Sequence, residues 1–211
     1  MKIKVVENVL KENVRSAREI RARLDEAGVL ALNLTSAPGS GKTTLLEATM
    51  KALGPEKRAV VLVGDLQTTR DAERLAGGAA EVIQINTGRG CHLSAAQVAE
   101  GLDGLTLENV TYLFIENVGN MVCPAGFDLG EHARVVLLSV PEGDDKVAKY
   151  PTLFQPADVI LLTKIDLLGV LDFDVNRVRE DLDRINTRAP LLHLSARTGD
   201  GMDGWLEWLG M

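Results

Sequence analysis

Ser36-Ala37-Pro38-Gly39-Ser40-Gly41-Lys42-Thr43-Thr44 is the stretch that decides the fold. It follows an apolar, β-rich run, Val29–Leu34, and opens a helix-like segment, Thr43–Leu53. Gly39 and Gly41 allow the backbone to turn so that successive N–H groups converge on phosphate oxygens at a helix N-terminus. Lys42 adds a point charge between β- and γ-phosphates, and the Thr43 hydroxyl suits a Mg²⁺ ion. Ser36 stands where such loops usually begin with glycine, the one departure from the pattern. A turn that only joined strand to helix would not need the Gly-Lys-Thr ending. The segment therefore reads as a P-loop, with Gly39, Ser40, Gly41, Lys42, Thr43 and Thr44 as nucleotide contacts.

Further strand-like runs recur outward from this loop: Ala59–Val63, Glu81–Ile85, Tyr112–Ile115, Arg134–Val140, Val159–Leu162 and Leu191–Leu194. Helix-like segments separate most of them, at Thr68–Ala76, Ser94–Gly101, Val175–Thr187 and Asp203–Leu209. Alternation of this kind predicts a three-layer α/β domain with a mostly parallel sheet of about seven strands. Ahead of it, Val5, Val6, Val9, Leu10, Val14, Ala17, Ile20 and Leu24 form a helical stripe that stops near Gly28. The expected division is a loosely attached N-terminal helix, residues 1–28, and a P-loop domain, residues 29–211. At about 150 residues per domain, 211 residues suit one elaborated domain. Trp205 and Trp208, three apart on the last helix, read as core anchors.

The charge balance, 23 basic against 30 acidic residues, gives no general attraction to nucleic acid or anionic membrane. Apolar runs are strand-sized, far below the roughly 20 residues that span a bilayer. Met1-Lys2-Ile3-Lys4 leads straight into the helical stripe, without a secretory segment. A cytoplasmic protein is expected, and its two cysteines, Cys91 and Cys123, cannot build a disulfide framework.

Two acids stand at strand ends. Asp65 comes after Ala59–Val63, and Glu116 directly follows Tyr112–Ile115. A carboxylate at either place can hold the Mg²⁺ shell, so Lys42, Asp65 and Glu116 are the candidate catalytic set. Glu116-Asn117-Val118-Gly119 has the spacing of the Asp-x-x-Gly switch of GTPases with Glu substituted, and the Gly119 N–H would sense the γ-phosphate. Thr163-Lys164-Ile165-Asp166 has the spacing of the guanine-reading Asn-Lys-x-Asp segment, with Thr163 replacing asparagine. Guanine offers N1–H and N2–H₂ side by side, so one Asp166 carboxylate accepts both. Adenine presents an acceptor there and would leave the charge unpaired. Ser195-Ala196-Arg197 follows the last strand and resembles a loop that meets guanine O6 through backbone N–H.

Gly88-Arg89-Gly90-Cys91-His92-Leu93 and Asn120-Met121-Val122-Cys123-Pro124 both read as loops. Thiolate and imidazole are ligands for Zn²⁺, Ni²⁺ or copper, but three donors per chain leave coordination unfinished without water or a second protomer. Buried or incidental thiols remain the plainer reading of these residues alone. His193 reads as a structural strand residue, and His132 has no partner in sequence.

Taken together these segments resemble the hydrogenase-maturation nickel-insertion GTPases, the HypB family of the SIMIBI class of P-loop proteins. The resemblance runs through Ser36–Leu46, Gly64-Asp65-Leu66-Gln67-Thr68-Thr69-Arg70-Asp71-Ala72, Gly90–Leu93, Glu116–Asn120 with Cys123-Pro124, Thr163–Leu168 and Ser195–Gly201. It implies that Cys91, His92 and Cys123 bind nickel or zinc at a dimer interface beside the nucleotide. With the phosphate clamp complete but no glutamine or arginine finger assigned by spacing, Mg²⁺-dependent GTP hydrolysis is expected to be slow, and because Cys123 lies seven residues after Glu116 on one loop, GTP is expected to promote the homodimer. The resemblance also implies a small zinc-containing nickel chaperone and the hydrogenase large subunit as partners. The chain departs from some members in having neither an N-terminal cysteine cluster nor a histidine-rich tract, so nickel storage is not expected. The alternatives are a urease-type nickel-delivery GTPase, whose metal motif is typically Cys-Pro-His, a P-loop small-molecule kinase, which would not need Asp166, and a metal-binding module with incidental turnover.

Overall fold

The computed structural model describes residues 5–54, 56–65, 69–88 and 90–211, with side chains from Lys11 onward. Met1–Lys4, the side chains of Val5, Val6, Val9 and Leu10, and Leu66, Gln67, Thr68 and Arg89 of the quoted segments lie outside the described residues. Among those described, seven strands form one sheet: β1 (Leu30–Ser36), β2 (Ala59–Asp65), β3 (Glu81–Asn86), β4 (Tyr112–Glu116), β5 (Ala133–Ser139), β6 (Val159–Thr163) and β7 (Leu191–Leu194). Every pairing is parallel, in the order β3-β2-β4-β1-β5-β6-β7. The helices are α1 (Val5–Ala27), α2 (Lys42–Ala52), α3 (Arg70–Leu75), α4 (Ala95–Asp103), α5 (Lys146–Lys149), α6 (Pro151–Phe154), α7 (Val175–Ile185) and α8 (Met202–Trp208).

Alternate residues of the central strands serve opposite layers, the period-two rule of a doubly covered sheet. Leu32, Leu34, Phe114 and Val135 pack with Leu45, Leu46, Leu75 and Trp205 of α2, α3 and α8. On the other face Ala31, Leu113 and Ile115 meet α1 and α4, while Val136, Leu138 and Ile160 meet α5 to α7. Trp205 is fully buried and donates its indole N–H to Thr49 Oγ1 at 2.9 Å, and Trp208 stacks on it. The three-layer α/β domain with an N-terminal helix is thus the architecture the chain adopts. The sequence reading left residues 144–155 without structure, whereas they hold α5 and α6. Each is a single turn of four residues, too short to show helical periodicity, and Pro151 interrupts the run between them.

The first helix is less separate than its sequence suggests. Ala17, Ile20 and Leu24 are buried against the α4 layer, whereas Val14, placed on the same stripe, is 44% exposed. Buried Asn13 takes that place, donating to the Asp128 carbonyl and accepting from the Ala95 N–H, both at 2.8 Å. Arg21 reaches Asp128 and the Glu131 carbonyl, and Arg23 reaches Asp103. His132 finds partners in three dimensions: its Nδ1 accepts from the Ala31 N–H at 2.9 Å, and Nε2 lies 3.0 Å from Asp25 of the helix.

Candidate functional site

The P-loop leaves the end of β1, between β4 and β5, where the strand order reverses and α/β sheets form their ligand crevice. Gly39 and Gly41 have φ of 75° and 100°, the left-handed region that side chains avoid. Gly41 caps α2 without a side-chain hydrogen bond, which leaves the helix N–H groups aimed at an anion. Lys42 is buried, and its Nζ donates to Ser36 Oγ at 2.9 Å, so the residue in the place of the usual leading glycine holds the lysine. Burial lowers the Lys42 pKa, and the nearby Glu116 opposes that shift.

Asp65 and Glu116 are the last residues of β2 and β4, so the two strands run two residues and one residue further than the sequence reading, into the acids themselves. Glu116 Oε1 accepts from Thr43 Oγ1 at 2.7 Å, while Oε2 is buried without a hydrogen-bond partner. Burial pushes this carboxyl up to about 7, against the pull of Lys42 and Thr43. A hydroxyl joined to a carboxylate that keeps an unsatisfied buried oxygen fits a hard, oxygen-seeking cation such as Mg²⁺. Gly119 lies against the P-loop: a Cβ there would stand 2.8 Å from Pro38 Cα, so the switch glycine is required by contact. These groups line a cavity of about 460 Å³ that also takes in Gly64, Asp71, Arg74 and Lys164.

A second cavity, about 390 Å³, adjoins it and is lined by Ser40, Gly41, Thr44, Thr163, Lys164, Asp166 and Ser195 to Arg197. Every residue expected to read a base therefore reaches one pocket. Thr163 Oγ1 donates to the Ser40 carbonyl at 2.8 Å and Lys164 Nζ to the Gly39 carbonyl at 2.7 Å, which ties the base-side loop to the phosphate loop. Thr163, in the place of the customary asparagine, thus has a structural task.

The ligand atoms of Cys91, His92 and Cys123 lie within 4.8 Å of one another. Zn–S and Zn–N bonds of ordinary length space tetrahedral donors about 3.3–3.8 Å apart, so the trio stands close to coordinating distance. Cys91 Sγ is 3.6 Å from His92 Nδ1, and Asn120 Nδ2 donates to Cys123 Sγ at 3.5 Å. The hydrogen bond with Cys91 raises the Cys123 thiol pKa, and burial lowers that of His92, favouring the neutral imidazole that ligates metals. The His92 ring rests on Phe127, centroids 4.0 Å apart.

Sequence reasoning missed Asp71, Arg74 and Glu142. Arg74 of α3 lines the phosphate cavity with its guanidinium on Glu47 and on Thr44 Oγ1. Glu142, just past β5, accepts from Ser40 Oγ at 2.5 Å. No short motif marks either residue. Asp71 lies within a quoted segment, and only its place in the cavity singles it out.

The family profile described as "CobW/HypB/UreG, nucleotide-binding domain" matches residues 30–193. The hydrogenase maturation factor HypB of Azotobacter chroococcum is 46% identical over 207 residues, covering 98% of this chain and 68% of that protein. Among solved structures, HypB from Helicobacter pylori in complex with nickel superposes with a TM-score of 0.90 at 41% identity, over 94% of this chain and 93% of that one. HypB from Archaeoglobus fulgidus gives 0.88 at 39% identity, over 94% and 97%. A nucleotide cleft and a soft-ligand corner on one strand rim, together with these matches, mean that the chain belongs to the CobW/HypB/UreG family and, within it, to the HypB hydrogenase maturation factors.

Proposed function

We propose that this chain is a GTP-hydrolysing metallochaperone that binds nickel, or zinc, through Cys91, His92 and Cys123 and assists nickel insertion into [NiFe]-hydrogenase. One observation carries the reading: three soft donors converge within 4.8 Å, and one of them lies on the loop that leaves β4 at Glu116. GTP is the substrate, with its phosphates over Gly39 to Thr44 and its base between Lys164, Asp166 and Ser195 to Arg197. Backbone N–H groups of the P-loop and the Lys42 ammonium neutralise the β- and γ-oxygens, and the Gly119 N–H meets the γ-phosphate. Thr43, Asp65 and Glu116 would hold Mg²⁺, which would offset charge on the leaving diphosphate. Water adds to the γ-phosphorus, its bond to the β-γ bridging oxygen breaks, and GDP and inorganic phosphate leave. Arg74 is engaged by Glu47, and no glutamine is assigned to the attacking water. Turnover of about 10⁻⁴ to 10⁻² s⁻¹ follows, as in switches lacking a supplied finger.

Three donors per chain call for a two-fold partner to complete the metal's coordination. Val122, 63% exposed beside Cys123, is an apolar surface such pairing would cover. GTP with Mg²⁺ is proposed to favour the dimer, and GDP to loosen both dimer and metal. Among the described residues no helix is long and apolar enough to cross a membrane, and a cytoplasmic site of action is proposed. A small zinc-containing nickel chaperone and the hydrogenase large subunit are the proposed protein partners. The test is Ni²⁺ affinity and sedimentation mass with a non-hydrolysable GTP analogue against GDP. Tighter metal and doubled mass with the analogue are expected; equal values in both states defeat the coupling.

A further inference from the structure

A chain of buried polar side chains crosses the α1-side face of the sheet, between the apolar cluster under α4 and the one under α5 to α7. Asn117, 1% exposed, follows Glu116 directly. Its Oδ1 accepts from the Leu93 N–H at 3.1 Å and the Val118 N–H at 3.0 Å, and its Nδ2 donates to Asn33 Oδ1 at 3.3 Å. Asn33, equally buried, donates to Glu131 Oε1 at 3.3 Å. Glu131 Oε1 also accepts from Arg134 Nε at 2.8 Å, and Oε2 accepts from the Leu129 N–H at 2.7 Å. Arg134 then spends its fork on two carbonyls, Ala125 at 3.1 Å and Phe127 at 3.0 Å.

Both ends of this chain are loops that carry soft donors. Leu93 follows His92. Its side chain lies so close over the end of β2 that a Cβ on Gly64 would come within 2.7 Å of it, and Ser94 beyond it closes a capping box with Gln97. Ala125 belongs to the 3₁₀ turn that starts at Cys123, and Phe127 carries the His92 ring. Glu131 is buried and Arg134 only partly so, and removing such a pair from water costs desolvation that an apolar filling would avoid. What the ionic version supplies is fixed geometry between two segments that, among the described residues, share no backbone hydrogen bond.

We propose that Asn117 and Arg134, joined through Asn33 and Glu131, are positioning residues that set the distance between the Cys91–His92 loop and the Cys123 loop. The proposal rests on the metal-centre reading above. Arg134→Lys keeps a cation beside Glu131 but lacks the planar fork for two carbonyls, and Asn117→Ser shortens the other end. The full-length variants are compared with wild type and Cys91→Ala for Ni²⁺ affinity by chelator competition, for the thiolate-to-nickel absorption band and for thermal melting. For Arg134→Lys, GTP affinity of the metal-free protein is measured as well. Outer-shell partners of metal ligands are worth about 10–100-fold in affinity. That loss is expected in Arg134→Lys and Asn117→Ser, with an altered band and cooperative melting, and with GTP affinity of Arg134→Lys unchanged. Wild-type affinity and band in both variants would overturn the proposal, and so would loss of cooperative melting in both, which would make the network a folding device. If Cys91→Ala binds Ni²⁺ as wild type does, the metal centre itself falls; if it fails to bind while Arg134→Lys binds normally, only the positioning role falls.

Discussion

The nucleotide cleft and the cysteine–histidine corner share one rim of the sheet, yet they are held in different ways. In the cleft, Glu116, Asp65 and Thr163 are final residues of strands, and Lys42 opens a helix, so backbone ladders fix them before any side chain acts. In the corner, Cys91, His92 and Cys123 sit on loop segments, half-buried, with positions borrowed from Asn117, Arg134 and Phe127. A site on strand ends is set by the fold, and a site on loops is set by its neighbours. The first tolerates changes around it, and the second is open to adjustment by whatever moves those neighbours.

This contrast can be broken by substitution. Lys42→Ala should have the largest effect, weakening GTP by at least about 100-fold in calorimetric titration, because it deletes two charge-assisted hydrogen bonds of about 1.5–3 kcal/mol each. Ni²⁺ affinity without nucleotide should stay as it was. Cys123→Ala is the mirror case: Ni²⁺ binding should fall on the order of 100-fold, at or beyond the value of an outer-shell partner. GTP binding to the metal-free protein should be unaffected, and a parallel loss would merge the two regions into one site.

Asp166→Asn should exchange GTP for xanthosine triphosphate by about 10–100-fold, since the amide donates where the carboxylate could only accept. Equal binding of ATP and GTP by wild type would remove the base-reading assignment. The smallest effect is expected from Thr163→Val, which keeps shape but drops the bond to the Ser40 carbonyl. A net hydrogen bond of about 0.5–1.5 kcal/mol gives roughly 3–10-fold weaker GTP, and Thr163→Ser should restore it. If valine there weakens nothing, the cleft does not depend on that tie.

Legibility in the sequence follows the same line. The P-loop, both acids and the base-side segments lie at fixed spacings from strand ends, and strand ends are marked by where apolar runs stop. Cys91, His92 and Cys123 stand out by residue type and by resemblance; as residues alone they read as incidental thiols. In sequence Asn117 is only a spacer within the switch, and Arg134 only the first residue of a strand. Their roles depend on which backbone groups lie across the sheet face, the Leu93 N–H for Asn117 and the Ala125 and Phe127 carbonyls for Arg134, and no local pattern encodes that. Val14 and Asn13 teach the same lesson at small scale. Periodicity placed valine inside, but the layer beside α1 ends in an N–H and a carbonyl that need the amide of asparagine.

The order of strands along the rim has a pharmacological consequence. The residues proposed to read guanine sit beyond β6 and β7, the phosphate loop beyond β1, and the thiols over the ends of β2 and β4. An inhibitor shaped like a nucleoside, without phosphates, would occupy the first position and reach neither of the others. Under the proposed coupling it would nonetheless weaken metal at the thiols, by withholding the GTP that favours the dimer. A thiol-directed reagent would weaken GTP in return, so the two kinds of compound should not act independently on the same molecule.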